Sequence, residues 1–187
     1  INSKSGLYPL YMAYSIYRTR VASLLFSVSS IEDEQKIWDK VVAENIFVIC
    51  KTPMAKSITK RTLIGFRKAK VNTRYFEDLI NQIKNKPEHF IKQVEKFVSE
   101  RIGIKDMKFN AVVGNPPYQL VGGSGGSNDS PIYQYFCQVA KKITPQYISL
   151  IIPSRWFAAG RDNLLGDFRK QMLNDGNVRK LVTFDDS

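Results

Sequence analysis

The residues of this chain best suited to chemistry are Asn115, Pro116 and Tyr118, within Asn110-Ala-Val-Val-Gly-Asn-Pro-Pro-Tyr118. Phe109 to Val113 is apolar and β-branched, the pattern of a buried core strand. Gly114 frees the backbone, and Pro116 and Pro117 can neither donate to a strand ladder nor sit inside a helix. Asn115 and Tyr118 are therefore expected at the carboxyl end of a strand, where open α/β sheets place their sites. An amino group on a planar ring or an amide is a poor nucleophile, because its lone pair is delocalised. The Asn115 side-chain oxygen and the Pro116 carbonyl can both accept hydrogen bonds from such a group. Two acceptors draw the nitrogen toward tetrahedral geometry and stabilise the charge that develops as it attacks. Tyr118 adds a π-face on which a base stacks, worth roughly 1–3 kcal/mol. No acidic or thiol nucleophile is required.

The elements that must position this turn follow from periodicity. Leu7, Leu10, Tyr11, Tyr14, Tyr17, Val21 and Leu24 recur at helical spacing, with Pro9 tolerated in the first turn. A polar stretch from Ser29 leads into a second helix, which carries Glu34 and Lys36 on its surface. Asn45 to Ile49 reads as a strand, Thr52 to Ala55 as the turn into a helix of roughly 56–68 broken by Gly65, and Val71 to Phe76 as another strand. Leu79 to Ile102 is helical, with Pro87 opening a second segment whose core stripe is Ile91, Val94, Phe97 and Val98. After Tyr118 the Gly-Ser-rich run 122–130 has nothing to bury and reads as a flexible loop or lid. Ser130 is expected to cap the next helix with Pro131 at its first position. Tyr147 to Pro153 is a buried strand, 163–174 a helix, and Val178 to Phe184 a last strand. This alternation predicts an α/β domain, doubly wound around a mostly parallel sheet in three layers.

Asn-Pro-Pro-Tyr, within the longer Val-Gly-Asn-Pro-Pro-Tyr-Gln and followed by a Gly-rich loop and a helix, resembles the adenine-specific DNA methyltransferases. Among these it is most similar to the bifunctional restriction–modification enzymes (type IIG-like). The resemblance implies a Rossmann-like methyltransferase core spanning 1–187, with target-recognition and any nuclease domain outside these residues. It implies S-adenosylmethionine as methyl donor and double-stranded DNA with a flipped adenine as substrate. Asn115, Pro116 and Tyr118 take the catalytic roles. Ser5, Gly6, Asp78 and Asn115 fall where the family contacts its cofactor, and Asp78 reads equally as an acid at a helix start. Lys4 stands where the family has a glycine, and Cys50 where it has the carboxylate that accepts the ribose hydroxyls. Cys50→Asp is accordingly expected to strengthen cofactor binding. Ile-Ile-Pro-Ser154 and the aromatics after it resemble the wall of the target-base pocket, with Arg155 for a phosphate and Trp156 for a base. RNA and protein-glutamine methyltransferases carry similar tetrapeptides, so both stay open as alternatives. So does a degenerate methyltransferase-like module that grips DNA without turnover.

Composition narrows the classes. The formal net charge is +11, and between Lys51 and Phe76 there are eight basic residues and no acidic one. That block, with Lys60, Arg61 and Arg67, suggests a polyanion such as DNA. His89 is the only histidine, so His-based triads and His-rich metal sites are poorly supported, and no metal is expected. Cys50 and Cys137 have no Cys-x-x-Cys spacing, and no apolar run approaches the ~20 residues that span a membrane. A cytoplasmic enzyme is the plain reading.

Overall fold

The computed structural model describes residues 5–24, 30–103, 108–120, 130–158 and 163–184. Lys4 and the Gly-Ser run 121–129 lie outside the described residues. Four short strands alternate with helices in the order α1 (Leu7–Ser23), α2 (Ile31–Asn45), β1 (Phe47–Cys50), α3 (Pro53–Ile64), β2 (Asn72–Tyr75), α4 (Leu79–Asn85), α5 (Pro87–Ile102), β3 (Ala111–Gly114), α6 (Tyr133–Lys142), β4 (Tyr147–Leu150) and α7 (Asn163–Leu173), with a 3-10 helix (Ser154–Ala158) after β4.

Among the described residues, the four named strands pair in parallel. β1 pairs with β2, Phe47 opposite Asn72 and Cys50 opposite Tyr75. β3 pairs with β4, Ala111 opposite Tyr147 and Gly114 opposite Leu150. The described residues thus form a mixed α/β fold with two separate two-stranded sheets. The beginnings of the strands gather at one end. The Phe47 ring meets Phe109 edge-on at 6.0 Å and Phe97 at 6.4 Å. Asn72 Nδ2, buried at the start of β2, donates to the Ala43 carbonyl at 2.6 Å, just before β1. An apolar groove runs between β1 and β3, lined by Phe47, Val48, Ala111 and Val113 and flanked by Pro9 and Met12 of α1.

Helix ends follow local chemistry. Ser30 caps α2 by accepting from Asp33 N at 3.2 Å, and Thr52 caps α3 by accepting from Ala55 N at 3.1 Å. Gly65, at φ 60°, ends α3. The break at Pro87 falls where its ring cannot continue α4. The α5 stripe Ile91, Val94, Phe97 and Val98 is buried as expected.

Four expectations are corrected. The outward face of α1 carries Leu7, Tyr11 and Tyr14, which are exposed, while Pro9 and Ala13 face inward. α1 is apolar nearly all round, so periodicity could not choose its buried side. α6 starts at Tyr133 with no side-chain cap, because residues 130–132 run extended beside 118–120. β4 is largely exposed rather than buried. Residues 178–184 form no strand: Val178, Leu181, Val182 and Phe184 are all exposed, with no neighbouring strand among the described residues to bond them.

α7 is fastened to α6 by Lys141, which pairs with Asp175 at 2.6 Å. The hydrogen bond from Lys141, then that from the Asn177 backbone, holds the Asp175 carboxyl below its ordinary range. A lowered carboxylate value contributes stability that is present above the unfolded pKa, about 3.9, and lost as pH falls through the folded value. Asp175→Asn should therefore flatten the acid limb of stability below about pH 4 while leaving neutral-pH folding intact, as read by thermal melts across pH.

Candidate active site

Both flanks of the tetrapeptide turn are pinned by backbone bonds. On the incoming side the ladder continues to the last strand residue, where Ile151 N donates to the Gly114 carbonyl at 3.0 Å. On the outgoing side Ile132 N donates to the Tyr118 carbonyl at 3.1 Å, and Leu120 N to the Ser130 carbonyl at 3.1 Å. Gln119 and Pro131 form an antiparallel bridge between the same two segments. Asn115, Pro116 and Pro117 span the gap between these anchors. Two consecutive prolines fix φ there and remove two donors, leaving the Asn115 and Pro116 carbonyls without a competing N–H beside them. Pro116 is buried, Asn115 partly buried, and Tyr118 is 41% exposed. A ring-shaped ligand can reach the Tyr118 face while the backbone beneath stays fixed.

Sequence reasoning did not find the two anchoring amides, Ile132 N and Ile151 N. They are backbone groups, and only pairing in space reveals them. Behind the turn, Tyr133 is buried against Phe168 with ring centroids 5.9 Å apart, and desolvation raises its phenol pKa.

The expected cofactor residues lie at two helix starts, Ser5 and Gly6 before α1 and Asp78 before α4. Ser5 is exposed, and its carbonyl accepts from Thr62 Oγ1 of α3 at 2.6 Å. Gly6, at φ 81°, lies against the same helix: a Cβ there would stand 2.9 Å from Thr62 Cβ and 3.0 Å from Thr59 Cα. The glycine is thus required by the approach of α1 to α3, whatever else it does. Asp78 stands just before α4, without a side-chain bond to the helix backbone, in the left-handed region at φ 49° and ψ 40°, a conformation aspartate tolerates better than most. It is exposed, with Oδ2 accepting from Asn81 Nδ2 at 2.7 Å.

Cys50 lies in the core at the end of β1. Its side chain is fully buried, in the core cluster that includes Ala13, Val41, Val48 and Ile64. Its Sγ lies 4.0 Å from Thr59 Oγ1, and burial pushes the thiol pKa up. The strand alternates, so Val48 and Cys50 point inward together. A carboxylate here would face hydrocarbon and Thr59. Cys137 is likewise an inert core thiol, pushed up to about 12 by burial.

The basic candidates divide. Arg155 is exposed just after the carboxyl end of β4, whereas Trp156 is 4% exposed and packs on Phe157 at 4.4 Å and Phe168 at 5.8 Å. Trp156 is a core residue whose faces are covered, so it offers no platform to a base. Lys60 is exposed on α3. Arg61 stacks on Phe66 at 4.4 Å, and Arg67 is paired with Asp39 at 2.8 Å. Arg61 and Arg67 stand where α3 leads into β2, at the end where strands begin, whereas the tetrapeptide follows the end of β3. The structure does not bring the two together.

With this geometry in view, comparison with known proteins decides the class. The profile of the Eco57I restriction-modification methylase family matches residues 44–187. The chain belongs to this family. It is also 32% identical over 97 residues to a protein of Mycoplasma pneumoniae (strain ATCC 29342 / M129 / Subtype 1) described as an uncharacterized adenine-specific methylase. That match covers 51% of this chain and 22% of the relative, so the chain spans about a fifth of the relative's length. No solved structure matches the chain. Among the described residues, no helix is long and apolar enough to cross a membrane.

Two substitutions test this description. Gly6→Ala should lower stability by roughly 1–3 kcal/mol, because it adds left-handed strain to a close helix contact. Cys50→Asp should destabilise by about 3–5 kcal/mol, the cost of an uncompensated buried charge, and should not improve affinity for a methyl donor. Denaturant titration reads both.

Proposed function

We propose that the protein transfers a methyl group from S-adenosylmethionine to the exocyclic amino group of adenine in duplex DNA, within a restriction–modification system. The observation that carries this reading is the Asn-Pro-Pro-Tyr turn, pinned at Gly114 and Tyr118 at the carboxyl end of a parallel strand. Family membership and the adenine-specific description of the relative support it.

In this mechanism the target adenine leaves the helix, at a cost of a few kcal/mol, and stacks on Tyr118. The Asn115 side-chain oxygen and the Pro116 carbonyl accept the two amino hydrogens. They orient the nitrogen lone pair and stabilise the positive charge that grows on nitrogen as the bond to carbon forms. S-adenosylmethionine, when bound, would supply the electrophilic methyl carbon, its sulfur keeping the electron pair of the broken carbon–sulfur bond and leaving as S-adenosylhomocysteine, while the amino proton would pass to solvent. The exposed carboxylate of Asp78 can accept from an adenine amino group of the cofactor, and the Ser5–Gly6 turn offers backbone to its amino-acid part. Arg155, exposed beyond β4, would meet a phosphate of the flipped strand. We assign the finer architecture to the doubly wound sheet of such enzymes, with both strand pairs belonging to one sheet.

A second reading has one observation in its favour. The buried Cys50 leaves the end of β1 without a carboxylate for ribose hydroxyls, as in a module that grips DNA without turnover. Calorimetry of the full-length protein with S-adenosylmethionine separates the two, since the module would show no binding heat.

Asn115→Ala in the full-length protein should lower methyl transfer by ~10²–10³, the effect of removing one preorganised acceptor, while DNA affinity stays within about twofold. Single-turnover transfer of labelled methyl, alongside a DNA-binding titration, reads both quantities. Near wild-type transfer by this variant would remove Asn115 from the reaction.

A further inference from the structure

The basic block between α3 and β2 has no role in the site described above. It surrounds a ring that folding leaves outside. Phe66 is 88% exposed, just after Gly65 ends α3. Its one covered face carries the Arg61 guanidinium at 4.4 Å, and Arg61 also donates to the Gly65 carbonyl at 3.2 Å. The ring is therefore held by a cation on one side and open on the other. Lys68 is exposed two residues on. Lys70 Nζ donates to the Arg101 carbonyl, which brings the exposed end of α5 beside this loop. Arg101 lies over the edge of the core through Phe97 at 5.7 Å. Among the described residues, Arg61, Lys68, Lys70 and Arg101 make no ion pair with a carboxylate, whereas Arg67 in the same loop is neutralised by Asp39.

We propose that Phe66, with Arg61, Lys68, Lys70 and Arg101, forms a second nucleic-acid surface that takes a single strand, one base stacking on the free face of Phe66 and its phosphates meeting the four cations. Charge selects the partner class, because cations without carboxylate partners, gathered on the acid-free loop and on the ends of α3 and α5 beside it, favour a polyanion. The ring selects single-stranded over duplex nucleic acid, because only an unstacked base can use its face. This surface lies at the end where β1, β2 and β3 begin, roughly 13 Å or more from the tetrapeptide across a four-residue strand. It therefore does not share a binding groove with a base held on Tyr118, and it does not depend on the methyl-transfer reading.

The test is a fluorescence-anisotropy titration of the full-length protein with a labelled oligothymidylate and with a mixed-sequence duplex of equal length, at several salt concentrations. Phe66→Ala should weaken oligothymidylate binding about tenfold, as loss of one stacked base does, and leave duplex binding unchanged. Lys68→Gln with Arg101→Gln should weaken it further and reduce the salt slope by about two. Phe66 is exposed, so a thermal melt should show the variant folded as well as the parent. Unchanged oligothymidylate affinity in folded Phe66→Ala would overturn the proposal. So would an equal loss for duplex and single strand, which would make the loop a plain phosphate contact. Binding of an acidic peptide in preference to the oligonucleotide would overturn it in favour of a protein partner. None of these outcomes depends on methyl transfer, which is followed separately through Asn115.

Discussion

Two backbone hydrogen bonds govern the candidate site: Ile151 N to the Gly114 carbonyl and Ile132 N to the Tyr118 carbonyl. A double-proline turn cannot hold itself in place through its own amides, since it has given two of them up. Its geometry must be imposed from the neighbours. β4 supplies the first anchor through its register with β3, and the extended segment before α6 supplies the second. Catalysis by acceptors alone needs that rigidity, because carbonyl oxygens offer no chemistry beyond where they are placed.

The rest of the described fold supports these anchors in recognisable ways. α6 buries Phe136 and Val139, and the segment before it Ile132, against α4 and α5, in the cluster that contains Phe76, Ile83 and Phe90. Its other side places Tyr133 and Cys137 with Trp156, Leu165 and Phe168. The segment that pins Tyr118 therefore starts a helix fixed on two faces. Trp156, which in sequence invites a nucleic-acid role, is one of the residues that fix it. Both cysteines also belong to the packing, as their buried thiols show.

The Asn-Pro-Pro-Tyr turn was legible in the sequence because its signals are local. A β-branched run, a glycine and two prolines fix a strand and its end without reference to anything distant. The breaks at Gly65 and Pro87 and the core stripe of α5 were legible for the same reason. What could not be read depends on neighbours. The exposed face of α1 was hidden by a helix that is apolar on nearly every side. The late start of α6 depends on pairing between residues 118–120 and 130–132, which no periodicity encodes. Segment 178–184 has strand composition but pairs with no strand among the described residues. Cys50 ends β1 with its side chain turned into the core, an orientation set by strand alternation and packing rather than by any local signal.

The central claim is that the pinned turn presents acceptors to an adenine amino group in DNA. The most direct measurement incubates the full-length protein with methyl-labelled S-adenosylmethionine and, in parallel, duplex DNA, ribosomal RNA and a glutamine-bearing protein substrate. Each product is then hydrolysed and the methylated component identified by mass spectrometry. The account predicts label in DNA alone, on the exocyclic nitrogen of adenine. Label confined to RNA or to a glutamine amide, or methylation of DNA on a carbon atom, would contradict it.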